Sequence, residues 1–278
     1  MQTLSSVTGA EAGPARPASV GGPALAVQGL YKRFGDNEVL KGVDLDLAPG
    51  QLVAVLGANG CGKSTLLRCA IGLLDADEGE IRLAGADLGA LRGRALRQAR
   101  REAAVVFQQI ALVGRRSALD NVCAGALGEL SLLRSWAPAA FPAEIRERAA
   151  RALARVGMLD KAWQPARTLS GGQAQRVAIA RAYCQRASVI LADEPVSALD
   201  PRAAEEVLRL LADLAHTPAG ADGRDGLAVL AVLHQPELAL RHADRVIGMR
   251  LGRVEFDAAP SRIEPGQVDH LYEHLQEA

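Results

Sequence analysis

The chain has 278 residues, 49% of them hydrophobic and 23% charged, an ordinary globular composition with material for one large domain or two modest ones. Its 32 basic and 32 acidic residues cancel, which argues against a bulk electrostatic nucleic-acid binder, and no apolar run approaches the roughly 18 residues of a membrane span. The four cysteines, Cys61, Cys69, Cys123 and Cys184, show neither a CxxC pair nor zinc spacing and read as reduced thiols of a cytosolic protein.

Residues 1–24 are rich in Ala, Gly, Pro and Ser, without the basic start and apolar centre of a signal peptide, and read as a disordered tail. Val43-Asp44-Leu45-Asp46-Leu47 alternates with period two, as in a half-buried strand of an antiparallel layer, and Ala48-Pro49-Gly50 turns it towards the apolar run 52–56. That run empties into Gly57-Ala58-Asn59-Gly60-Cys61-Gly62-Lys63-Ser64-Thr65, and Leu66, Leu67, Ala70, Ile71, Leu73 and Leu74 then mark an apolar helix. A strand, a glycine-rich loop and a helix in this order predict a phosphate-binding loop. Gly57, Gly60 and Gly62 allow tight turns with N–H groups aimed at an anion, and the helix opening near Lys63 adds its positive dipole end. Lys63 can reach the β and γ phosphates, and the Ser64 hydroxyl is the natural ligand of a hard Mg²⁺ ion.

Further along, residues 81–83 form a strand before Gly85. From about residue 111 to 168 the pattern turns helical, with Ile145, Ala149, Leu153 and Val156 recurring at helical spacing, and predicts a helical subdomain inserted into an α/β core. Leu169-Ser170-Gly171-Gly172-Gln173 then opens a helix-compatible run, 174–186, and a serine with two glycines at a helix N-terminus makes an anion-binding mouth. The buried strand 189–192 ends in Asp193-Glu194-Pro195, an unfavourable arrangement unless a cation or a reacting group waits there. Asp193 fits a magnesium-side carboxylate, and Glu194 fits the base that polarises an attacking water in phosphoryl transfer. Val207, Leu208, Leu210, Leu211 and Leu214 trace an amphipathic helix, 217–226 a loop and 227–233 a strand, consistent with a parallel sheet covered by helices. Strands 246–249 and 253–256 precede a polar C-terminal stretch in which His270 and His274, four apart, read as two solvent-facing side chains.

Taken together over about residues 25–258, these motifs resemble the ATP-binding cassette (ABC) ATPases. The stretch 169–173 resembles the family's signature, and the remaining elements stand in the family's order around it. The resemblance implies an α/β P-loop NTPase with an antiparallel β layer and an inserted helical subdomain, preceded by the tail 1–24 and followed by a C-terminal extension, 259–278. It also implies roles for residues that spacing alone leaves silent. Phe34 matches the aromatic that stacks on adenine, Gln108 the glutamine that senses magnesium and the transport partner, Ser197-Ala198-Leu199-Asp200 the D-loop, and His234 the switch histidine. ATP would then be held by Phe34, Gly57, Asn59, Gly60, Cys61, Gly62, Lys63, Ser64 and Thr65. Ser170, Gly171, Gly172 and Gln173 would face nucleotide on an opposed subunit, and Asp200 also counts among the nucleotide-binding residues. Mg²⁺ would be held at Ser64, Gln108 and Asp193, and the catalytic set would be Glu194, His234 and Gln108. One copy of each motif implies a homodimer or a pair with a second ABC chain.

Within that family, residues 108–122, Gly125-Ala126-Leu127-Gly128, Leu132-Leu133-Arg134-Ser135-Trp136 and the phrases around Leu233-His234-Gln235 and Ala243-Asp244-Arg245 are similar to phosphonate-import ATPases. Arg116 departs from that group's usual apolar residue, and Ala58, Asn59 and Cys61 depart from the commoner loop residues. The resemblance implies the ATPase subunit of an importer for phosphonates or a related phosphorus oxyanion. Such a subunit lies on the cytoplasmic face of the inner membrane, bound to a transmembrane permease and served indirectly by an extracytoplasmic solute-binding protein, with no nucleic acid involved. Another ABC transport system, or a soluble ABC ATPase of a complex such as that for carbon–phosphorus bond cleavage, is the alternative. Cys61, set where N–H groups and Lys63 converge, is expected to carry a lowered thiol pKa and to react first among the four cysteines.

Overall fold

A computed structural model describes residues 22–130, 141–218 and 226–273. β1 (Leu25–Phe34) and β2 (Asn37–Leu47) form a long antiparallel hairpin, which β4 (Glu78–Leu83) and β5 (Ala86–Asp87) extend into a four-stranded sheet of order β2-β1-β4-β5. The expected strand 43–47 is therefore the end of a longer β2, and β1 joins it from a stretch without clean alternation. The irregularity has a cause: register slips between Val27 and Leu30, where Gly29 takes φ +55° and its N–H donates to Asp44 Oδ1 at 2.7 Å. Ala24, just ahead of β1, is buried, and its N–H donates to Leu47 O at 2.8 Å.

The second sheet has six strands, β10-β9-β3-β8-β7-β6. β3 (Leu52–Gly57), β6 (Ala103–Val106), β7 (Val189–Asp193), β8 (Ala228–Val232) and β9 (Arg245–Arg250) run parallel, and β10 (Arg253–Ala258) closes the edge antiparallel to β9. β3 and β8 are buried at every position, as expected for strands covered on both faces. Their side chains alternate between two cores. Leu52, Ala54 and Leu56 of β3 face the helical side, whereas Val53 and Val55 face α1 (Lys63–Ala70) and the antiparallel sheet. The helix after the loop is shorter than its apolar run: it ends at Ala70, Gly72 takes φ +65°, and Leu73 is exposed.

α2 (Gly93–Ala99), rich in arginine, had no periodic signal. The stretch from 111 to 168 contains α3 (Ala118–Cys123), a 3₁₀ segment (Ala124–Glu129) and α4 (Ala143–Arg155), all packed with α5 (Gly171–Cys184) into the helical-side core. Residues 132–136 lie outside the described residues. α6 (Pro201–Ala215) and α7 (Pro236–His242) complete that side. The C-terminal stretch is less polar in its contacts than in its composition, because Val268 of α8 (Pro265–His270) and Leu271 after it are buried. His270 pairs with Glu273 at 2.8 Å, and His274 lies outside the described residues.

Candidate nucleotide site

The loop between β3 and α1 is built on three left-handed or otherwise glycine-specific peptides, with φ of +152° at Gly57, +79° at Gly60 and +108° at Gly62. Two of the glycines are required by the protein's own packing. A Cβ on Gly57 would stand 2.2 Å from Met249 O, and one on Gly62 would stand 2.9 Å from Val39 O. Of the three, only at Gly60 would a Cβ meet open space, so its left-handed backbone alone calls for glycine there. Lys63 is 5% exposed, and its ammonium donates to Gly57 O at 2.7 Å and Ala58 O at 2.9 Å, folding the loop around its own cation.

Cys61 corrects the expectation of a reactive thiol. Burial raises its pKa above the ordinary 9.0, and the opposing influence of Lys63, whose amine lies 3.9 Å from Sγ, is smaller. The thiol is 6% exposed and faces the loop's packing rather than its mouth.

Opposite the loop, β7 ends at Asp193, one residue beyond the Ala192–Val106 pairing with β6. The Ser64 hydroxyl donates to Asp193 Oδ1 at 3.2 Å, and burial raises the Asp193 pKa against that hydrogen bond. A cation here would favour the ionised carboxylate. The donors fit magnesium, because Mg²⁺ takes one or two hard protein oxygens and fills its octahedron from phosphate and water. Glu194 follows in a left-handed conformation, φ +51°, which turns its side chain away from the strand direction. Ser197 supports the turn, its hydroxyl donating to Glu194 O at 3.1 Å. His234, just past β8, donates from Nε2 to Glu194 Oε1 at 2.6 Å, and both side chains are partly exposed. The structure thus gathers Lys63, Ser64, Asp193, Glu194 and His234 at the carboxyl ends of β3, β7 and β8, where open parallel sheets bind ligands.

Phe34 projects from the tip of the β1–β2 hairpin, half exposed, with the Lys32 ammonium 5.6 Å from its ring centroid. The same hairpin presents Val39 and Leu40 to Gly62, which seats its tip beside the loop. Asn59, Gly60 and Gln108 are exposed, and Gln108 stands two residues beyond β6. Ser170 and Asp200 are exposed helix caps. Ser170 and Gln173 make a reciprocal capping box at α5, and Asp200 Oδ1 accepts from Ala203 N at 3.0 Å at α6. Gly171 packs against Leu199, and a Cβ on Gly172 would lie 3.3 Å from Ala203 Cβ, so the two cap regions form one surface.

The family profile for ABC transporters matches residues 40–197. The chain belongs to the ABC transporter family. It is 45% identical to the phosphonates import ATP-binding protein PhnC of Frankia casuarinae over 247 residues, covering 89% of this chain and 92% of that one. The PhnC of Thiobacillus denitrificans is 44% identical over 254 residues, 90% of this chain and 93% of that one. Among solved structures, the dimeric ATP-binding cassette MJ0796, in a post-hydrolysis state bound to ADP and Pi, superimposes with a TM-score of 0.67 at 31% identity, covering 85% of this chain and 98% of that one.

In this ABC protein several contacts around the loop escape sequence reasoning. The Leu251–Gly252 turn between β9 and β10, with φ of +47° and +84°, binds the loop through Gly252 N–H to Cys61 O at 3.2 Å and binds β2 through Lys41 N–H to Gly252 O at 2.9 Å. Asn121 is buried and organises the stretch after Gln108, accepting from Val113 N–H at 2.7 Å and donating to Ser117 O at 2.9 Å. Arg116 contributes its carbonyl to Ala166 N–H while its side chain is exposed, which explains why a departure from an apolar residue is tolerated there. Gly125 touches α5 so closely that a Cβ would stand 2.2 Å from Arg181 O. The Ala243-Asp244-Arg245 phrase is architectural: Asp244 accepts from Leu52 N–H at 2.8 Å, and Arg245 pairs with Asp257.

Proposed function

We propose that this chain is the ATP-hydrolysing subunit of an ABC importer for phosphonates or a related phosphorus oxyanion. The observation that carries the reading is 45% and 44% identity, along about nine-tenths of the chain, to phosphonates import ATP-binding proteins, in a protein whose Lys63, Ser64, Asp193, Glu194 and His234 converge on one site. ATP is the substrate. Residues 57–65 cradle its phosphates, Lys63 leaves the loop carbonyls to meet the β and γ groups, and Phe34 stacks on adenine. Ser64, Asp193 and Gln108 would hold Mg²⁺, which when bound supplies charge neutralisation for the phosphates. Glu194 accepts the proton of the attacking water, and His234 holds that carboxylate and orients the water and phosphate.

The exposed caps at Ser170 and Asp200, with Gly171, Gly172 and Gln173, serve the nucleotide of a second copy, so the working unit is a homodimer, or a pair with another ABC chain. An arginine-lined groove beside β6 is the surface offered to a permease: Arg97, Arg100, Arg101 and Arg181 border a cavity of about 420 Å³. Among the described residues no helix is long and apolar enough to cross a membrane. Attachment to the cytoplasmic face of the inner membrane is therefore through that permease, and a solute-binding protein outside delivers the phosphonate, which never touches this chain.

The test is affinity capture from solubilised membranes, followed by ATPase assay of the captured complex. Recovery of a transmembrane permease, with MgATP hydrolysis stimulated by a phosphonate-loaded binding protein, is the expected result. Recovery of cytosolic carbon–phosphorus chemistry enzymes without a permease would replace this reading with the soluble alternative.

A further inference from the structure

Asp77, in the connection between α1 and β4, fastens the end of β1 from which Phe34 projects. Its N–H donates to Tyr31 O at 3.0 Å, its Oδ1 accepts from the Lys32 ammonium at 3.0 Å, and its Oδ2 accepts from Arg33 N–H at 2.5 Å. One residue thus holds three successive residues of the strand, at the place where the β1–β2 register slips between Lys32 and Arg33. Beyond them the Phe34 ring is half exposed, and the Lys32 ammonium stands over it, 5.6 Å from the centroid. The Lys32 side chain is largely buried by these contacts, 13% exposed, while that of Asp77 keeps 31%.

An ion pair this close to solvent contributes little to stability, so the fold gains little from ordering the long Lys32 stem. Its place over the ring has another consequence. The face of an aromatic ring is negative and attracts a cation, within about 6 Å of the centroid. A cation on one face draws π density towards itself and leaves the opposite face less negative, which favours an electron-rich base stacked there. It also occupies its own face, so a base has a single side on which to stack. We propose that Lys32 and Asp77 are positioning residues for the adenine platform, Asp77 fixing the ammonium and the ammonium orienting and polarising the Phe34 ring for the base. The inference rests on the nucleotide reading given above.

Lys32→Met keeps the length of the side chain and removes the cation. Calorimetric titration with MgATP, and with magnesium tripolyphosphate, which carries the phosphates and no base, separates the platform from the loop. In Lys32→Met, ATP affinity is expected to weaken by about 3- to 10-fold while tripolyphosphate affinity holds, with the loss falling on KM rather than kcat. Asp77→Asn, which keeps the backbone bond to Tyr31 and removes the anchoring charge, is expected to shift ATP binding in the same direction. Lys32→Arg retains a cation suited to aromatic faces and is expected to bind ATP like the wild type. Equal losses for both ligands would make Lys32 merely structural and overturn the inference. Unchanged ATP affinity in Lys32→Met, in a protein where Phe34→Ala weakens it, overturns the inference alone. Unchanged ATP affinity in Phe34→Ala overturns the adenine reading of Phe34 and this inference with it.

Discussion

Glu194 occupies a backbone conformation that costs a non-glycine residue about 1–3 kcal/mol, and the neighbouring hydrogen bonds from Ser197 and His234 hold it there. Strain of this kind aims a side chain, and the aim matters only if the carboxylate acts. Glu194→Gln keeps the shape and removes the base, so it is expected to bind MgATP while hydrolysing it roughly 10²- to 10⁴-fold more slowly. Single-turnover assays with labelled ATP check this, and normal turnover would remove Glu194 from the mechanism. Cys61 makes the opposite point, that a residue inside a motif can be inert. Because burial keeps its thiol protonated at neutral pH, maleimide is expected to label native, nucleotide-free protein slowly at Cys61 and rapidly only after unfolding. Peptide mapping by mass spectrometry decides it; prompt labelling of the native thiol would show that the loop opens.

The loop, as an element, divides its glycines between folding and binding. Gly57→Ala drives a methyl into the Met249 carbonyl and Gly62→Ala into that of Val39, whereas Gly60→Ala meets only the left-handed backbone penalty. The first two are expected to lose about 3 kcal/mol or more of stability and Gly60→Ala about 1–2, with the Gly60 variant losing nucleotide affinity out of proportion. Urea unfolding beside nucleotide titration measures both, and equal stability losses at all three positions would contradict the division. The motif itself is legible in the sequence because it is local: strand, loop and helix lie in consecutive residues, and the same holds for Asp193 and Glu194 at the end of β7. What is not legible depends on long-range contact. β1 lacks alternation because Gly29 and its bulge interrupt the pleat, the Leu251–Gly252 turn meets the loop only through the sheet, and Val268 and Leu271 sit in a polar stretch whose apolar residues are too few to show a period. Phe34, Gln108 and His234 carry no chemical signature of their own, and only the family's motif order points to them.

At the scale of the whole molecule, the two helix caps at Ser170 and Asp200 are exposed. If two copies share sites, Ser170→Arg leaves MgATP binding by monomers intact and abolishes hydrolysis, and mixing it with Lys63→Ala restores one whole site per heterodimer. Measured activity of the mixture above that of either variant is the expected outcome, whereas full activity of Ser170→Arg alone would end the shared-site scheme. β3 has a different consequence at this scale. It sends Leu52, Ala54 and Leu56 to one core and Val53 and Val55 to the other, is anchored at Leu52 by Asp244, and stops at Gly57 against Met249. Inserting or deleting one codon within 52–57 would exchange between the cores the side chains on one side of the change, or displace the loop by about 3.3 Å. Tolerated length variation is therefore expected in the connections, and functional homologues are expected to align across these six positions without a gap.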